Sequence, residues 1–177
     1  MASVVPSASA PSAPTASPAA AVATGGRRAR LLSNRGIVVA AALSVGAGLV
    51  HLEVTPTHWW QWWGYGLFFL LSGVGQIAYA AVLVRWPVAP VLLFGAVGNL
   101  AIVALYGYTR TNGIPTGPAV GHIEAAGSGD FITTAGEFVL AGMLIAALGP
   151  RARSCAMTVL MLAGVGIWVL RLTNTIL

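Results

Sequence analysis

WWGYGLFFLLSGVGQIAYAAVLV (residues 62–84), then Arg85-Trp86-Pro87, then VAPVLLFGAVGNLAIVALYGY (residues 88–108), is the stretch whose reading decides the fold. It holds two long apolar runs with a single charged side chain, Arg85, at their junction. About 20 residues at ~1.5 Å each cross the ~30 Å of hydrocarbon in a bilayer. Lipid offers no partner for a bare backbone amide, so an open chain crosses it as helix. Working outward, three further apolar runs fall at roughly 36–54, 131–148 and 155–175. The expected fold class is therefore an all-α integral membrane helical bundle with about five transmembrane helices.

Composition agrees. Of 177 residues, 57% are hydrophobic and 7% charged, where a soluble domain carries about 25% charged. So little charge does not cover a water-facing surface, and the expected partner is the lipid bilayer. The net charge of +5 comes from arginine, without a lysine, and most of it sits in short connections. That is the pattern of a topology signal, and no nucleic-acid partner is expected. The one cysteine, Cys155, leaves no internal disulfide and no cysteine-based metal cluster.

Residues 1–26 are mainly Ala, Ser, Pro, Val and Thr with no charged side chain. Such a segment buries too little to offset the entropy of ordering. The expected organisation is a disordered cytoplasmic tail over 1–35, ending in a basic anchor, and a transmembrane bundle over 36–177. Arg27-Arg28-Ala29-Arg30 faintly resembles a twin-arginine export signal, but the anchor reading explains it with less.

Arginine sets the threading. Arg27, Arg28, Arg30 and Arg35 precede the first run, Arg85 separates the second and third, and Arg151 and Arg153 separate the fourth and fifth. All share one side, which the positive-inside rule makes cytoplasmic. The expected localisation is the bacterial plasma membrane, with the N-terminus inside, the C-terminus outside, and Cys155 inside. Trp59, Trp60, Trp62 and Trp63 at one mouth, and Trp86 at the other, suit headgroup belts. Stacking on a ligand is the other role open to the first cluster. Glycines recur in pairs along the runs, among them Gly46 and Gly48, and Gly73 and Gly75. Such residues let helices approach closely where lipid gives no hydrophobic drive.

Helical spacing collects the sparse polar residues into stripes: Ser44, Gly48 and His51; Ser72, Gln76 and Tyr79; Asn99, Tyr106 and Arg110; Asp130, Thr133 or Thr134, and Glu137. Gln76 and Asn99 are expected to hydrogen-bond between helices near the bilayer centre. Glu137 and Arg171 fall at similar depths below the outer face and are expected to form an intramembrane ion pair, because a buried guanidinium needs a counter-charge.

The two outer connections carry nearly all the remaining chemistry. In the first, Thr55-Pro56 suits a helix start, with Thr as N-cap. His51 would then close one helix and His58 open the next, facing each other across a corner near Glu53. The second, from 109 to 130, is long for a bundle, stiffened by Gly113-Ile114-Pro115-Thr116-Gly117-Pro118, and bears His122, Glu124 and Asp130. His51, His58, His122, Glu53, Asp130 and Glu137 thus form a candidate set. Imidazole with carboxylate suits a divalent transition metal such as zinc, copper(II) or iron(II). It equally suits proton transfer, or a small-solute pocket without metal. No compact motif such as H-E-x-x-H is present. Met143, Met157 and Met161 lie toward the other side and read as packing.

His51-Leu52, His58-Trp59, Gly66 with Phe69, Gln76, Asn99, Arg110, Gly113-x-Pro115-x-Gly117-Pro118, Asp130 and Glu137 together resemble a group of small multipass membrane proteins found mainly in actinobacteria and related bacteria. The resemblance covers roughly residues 45–140. It implies a family and a fold without implying an activity. Three function classes follow from the residues: an extracytoplasmic site that binds or transports a metal ion, proton or small solute; a structural or accessory subunit, in a homo-oligomer or beside a membrane partner, whose polar residues lock the bundle; and a membrane enzyme. The last would use Asp130 and Glu137 as acid and base but lacks a nucleophile motif.

Overall fold

The computed structural model describes residues 18–173. The chain divides into two compact units, Met1–Leu32 and Ser33–Leu177. Of the first, only helical backbone from Pro18 is described, inside the stretch read above as a tail; residues 1–17 lie outside the described residues. All that follows concerns the second unit.

Five helices make up the described chain: α1 (Pro18–Gln61), α2 (Trp63–Arg85), α3 (Ala89–Thr111), α4 (Ser128–Ala147) and α5 (Pro150–Leu172). Each contains a segment of 20 to 28 residues long and apolar enough to cross a membrane. The protein is an all-α, polytopic membrane protein. Pro90 and Pro150 open α3 and α5 in the first turn, where a missing N–H costs nothing.

The first connection departs from expectation. Thr55-Pro56 starts no new helix, because α1 runs through Pro56 to Gln61. A proline inside a helix leaves the carbonyl four residues back without its donor and disturbs the turn around it. Here neighbouring side chains supply donors to that turn. Thr55 Oγ1 donates to the His51 carbonyl (2.8 Å) and His58 Nδ1 to the Val54 carbonyl (2.9 Å). The helix ends only at Trp62, an extended residue that turns the chain directly into α2.

Packing stacks three layers. At the end bearing Arg35, Arg85, Arg151 and Arg153, the core is dry: Ile37, Ala40, Leu83, Leu92, Leu140, Leu144 and Leu148 are buried, Leu83 and Leu144 completely. Above it lies a polar belt. Gln76 Nε2 donates to Asn99 Oδ1 (2.9 Å), as the sequence predicts, and Asn99 Nδ2 donates to the Gly95 carbonyl (2.8 Å). Ser44 Oγ lies 2.6 Å from Gln76 Oε1 and 2.8 Å from the Gln76 carbonyl, so its one proton serves two acceptors. The third layer, at the end bearing the histidines, encloses a cavity.

Only some of the glycines draw helices together. Gly48 and Gly73 bring α1 against α2, and a Cβ on Gly48 would stand 2.8 Å from the Gly73 carbonyl oxygen. Gly95 makes room for the Tyr79 hydroxyl, which donates to the Val91 carbonyl. Gly46, Gly75, Gly98, Gly142, Gly164 and Gly166 face open space. α5 stands apart: it has no buried residue, and among its described residues Ala152 and Ala156 pack against the core.

Candidate functional site

α1 carries His51 and His58 two turns apart, hence on one face. Phe69 of α2 lies against both rings, with centroids 5.8 Å from His51 and 4.2 Å from His58. The two imidazoles therefore do not face each other across a corner; the uninterrupted α1 stacks them along one helix. A carbonyl only accepts, so the His58 bond to Val54 puts a proton on Nδ1.

His51 meets Glu137 of α4. Nε2 lies 2.8 Å from Glu137 Oε1, and both side chains are buried, Glu137 to 1% exposure. The second oxygen, Oε2, is buried without a hydrogen-bond partner among the described residues. Burying a polar group unpaired costs roughly 1–3 kcal/mol, so such a group calls for an explanation. Arg171 does not provide one. It is exposed on α5, and the expected Glu137–Arg171 pair is replaced by Glu137–His51. The physical reason is that α5 buries no residue and leaves Arg171 exposed, whereas α1 turns His51 inward.

Arg110 of α3 organises the rim. Its guanidinium pairs with Glu124 through Nη1 and with Asp130 through Nη2 (3.0 Å), and lies 4.5 Å above the Tyr106 ring. Nη1 also donates to Thr109 Oγ1 (2.9 Å). Asp130 sits in the first turn of α4 and reaches the Gly127 amide (3.4 Å), so a single carboxylate caps that helix and ties it to α3.

The segment 112–127 is folded back rather than loose. Ile114 N donates to the His122 carbonyl (3.0 Å), Gly121 N to the Ile114 carbonyl (2.9 Å) and Glu124 N to the Thr109 carbonyl (3.3 Å). Gly113 and Gly117 hold φ of +90° and +80°, which L side chains rarely adopt. The Tyr65 hydroxyl from α2 fastens the segment, donating to the Thr116 carbonyl (2.7 Å) and accepting from Ala119 N (3.3 Å). Gly117 lies so close to Tyr65 and Trp62 that a Cβ would collide with both.

Between this cover and helices α1 to α4 lies a cavity of about 700 Å³. His51, His58, His122, Asp130 and Glu137 of the candidate set line it, together with Tyr106 and Arg110; Glu53 is exposed and does not. Sharing a cavity is not the same as forming a metal cluster. Among the described residues no three His, Cys, Asp or Glu side chains come together as metal ligands. His51 is engaged by Glu137, Asp130 by Arg110, and His122 is exposed at the rim.

Sequence reasoning missed the cavity's aromatic wall of Trp62, Tyr65, Phe68, Phe69 and Tyr106, apart from the polar-stripe placement of Tyr106 and the ligand-stacking alternative for the cluster that includes Trp62. A signal was present, because Tyr65 and Phe69 share one face of α2, with Trp62 just ahead of its first turn. Trp62 is a cavity residue, while Trp59, Trp60 and Trp63 are exposed as a belt requires. Glu124 as partner of Arg110 was likewise not foreseen. No protein family, characterised protein or solved structure shows significant similarity to this chain.

Proposed function

We propose that this chain is a plasma-membrane protein, threaded with its arginine loops in the cytoplasm, whose cavity receives a small cation, proton or hydrogen-bond-donating solute from outside. The observation that carries this reading is Glu137: a carboxylate buried to 1% exposure, anchored by His51 through one oxygen and unpartnered at the other, in the wall of the cavity. A residue that served only to lock the bundle would have both oxygens satisfied, as the Ser44–Gln76–Asn99 belt does. The sealed layer at the opposite end, around Leu83 and Leu144, supports binding at a one-sided site over conduction through the bundle. A metal occupant has less support, given the scattered ligands. Membership of the actinobacterial group is proposed on the Arg110–Pro118 stretch and adds no activity.

A second reading has one observation behind it. α5 buries no residue, and beyond the contacts of Ala152 and Ala156 its surface lies outside the bundle, which suits an accessory role beside another subunit. The test is thermal unfolding of the purified protein in detergent with a panel of monovalent and divalent cations, amines and neutral alcohols. At least one should raise the midpoint of the native chain and leave Glu137→Gln and His51→Ala unmoved. A panel without effect on the native chain contradicts the binding reading and leaves the accessory one.

A further inference from the structure

The lining of the cavity narrows what it would accept, given the binding reading above. Three carboxylates, Glu124, Asp130 and Glu137, line it against one permanently charged cation, Arg110. That cation is already neutralised, with Nη1 and Nη2 held by Glu124 and Asp130. An anion would therefore meet excess negative charge, and of its natural ligand only the buried Nε is without a partner among the described residues. Glu137 is the carboxylate left over: His51 shares a hydrogen bond with Oε1, and Oε2 awaits a donor. A neutral alcohol satisfies the hydrogen bond without the charge; a cationic N–H donor satisfies both.

The walls select the rest of the molecule. A hydrated inorganic ion is best served by several oxygen or imidazole ligands, which the described residues do not bring together. They bring aromatic faces instead. Tyr65 and Trp62 meet edge to face with centroids 4.9 Å apart, Phe68 and Phe69 do the same at 5.2 Å, and Tyr106 already carries one cation on its ring. Aromatic faces attract an organic cation through their quadrupoles and bury its carbon body. The volume of about 700 Å³ falls within the ~300–1,000 Å³ usual for pockets that enclose small organic ligands.

We propose that the cavity binds a small organic ammonium ion, its N–H donated to Glu137 Oε2 and its carbon body laid among Trp62, Tyr65, Phe68 and Tyr106. Charge places the head group at the floor, and the aromatic residues and the Tyr65-fastened cover enclose the tail. His51 holds the carboxylate in position by fixing its other oxygen.

The experiment uses the full chain in lipid nanodiscs, with binding read by titration calorimetry and by the tryptophan fluorescence to which Trp62 contributes. The probes are phenethylammonium, its neutral near-isostere 2-phenylethanol, and zinc chloride. Phenethylammonium should bind at least ten-fold more tightly than 2-phenylethanol. Glu137→Gln, which keeps the shape and the acceptor for His51, should weaken phenethylammonium at least ten-fold and 2-phenylethanol little. Phe68→Leu should weaken it several-fold, and size-exclusion profiles verify that both variants remain folded. Equal binding of the amine and the alcohol, or amine binding that survives Glu137→Gln, overturns the ammonium assignment. Zinc binding that depends on Glu137, with no amine binding, also overturns it but leaves the cavity a ligand site. If no probe binds and the wider panel above is equally silent, the binding reading falls with it.

Discussion

Gly48 and Gly46 are two residues apart in one helix and behave differently. A methyl group on Gly48 would stand 2.8 Å from the carbonyl oxygen of Gly73, a backbone atom that does not swing aside, while one on Gly46 meets nothing. Gly48→Ala should therefore push α1 from α2 and cost about 1–3 kcal/mol, the usual range for overpacking. Gly46→Ala should leave stability unchanged or slightly raised. Equilibrium unfolding in mixed micelles distinguishes them, and equal effects would refute the packing described. The same scale governs the polar belt. Gln76→Leu strands Asn99 Oδ1 and leaves the Ser44 hydroxyl only the backbone carbonyl of residue 76, and a double-mutant cycle with Asn99→Leu should return a coupling of ~0.6–2 kcal/mol. The pairing of Gln76 with Asn99 was readable from sequence because two amides at matched depth in lipid have few other partners. The pairing of Glu137 was not: depth alone put Arg171 and His51 within equal reach of it, and only the burial of one helix and the exposure of another decides between them.

At the level of elements, α1 and the 112–127 segment were each half legible. Apolar length placed α1, but Thr55-Pro56 resembled a helix start so closely that a corner was expected between His51 and His58. Local chemistry ranks proline as a breaker; what it does not register is that Thr55 and His58 bond carbonyls of the same turn. The glycines and prolines of 113–118 correctly marked stiff turns, and nothing near them in sequence pointed to Tyr65, which lies two helices back along the chain. Tyr65→Phe should loosen this cover alone. Amide exchange at Ala119 and its neighbours should accelerate by the equivalent of about 0.5–1.5 kcal/mol, with α2 and α3 unchanged. Unaltered exchange in the segment would show that the hydroxyl does not fasten it.

For the whole molecule, charge sorting is the organising feature. The three histidines and the carboxylates Glu124, Asp130 and Glu137 gather at one end, and Arg35, Arg85, Arg151 and Arg153 mark the other. Five spans and this polarity were legible because lipid punishes misplaced charge more severely than water does. The enclosure of a cavity was not legible, since it arises from how four helices lean together. If the chain is threaded as proposed, the cavity mouth and Cys155, the chain's one cysteine, lie in different compartments. The decisive measurement is labelling of intact cells with a membrane-impermeant maleimide, comparing the native chain with the double variant His122→Cys, Cys155→Ser. The introduced thiol at position 122 should label in intact cells, and native Cys155, which is exposed, only after permeabilisation. Labelling in the reverse order would put the histidine end in the cytosol and contradict the extracytoplasmic site.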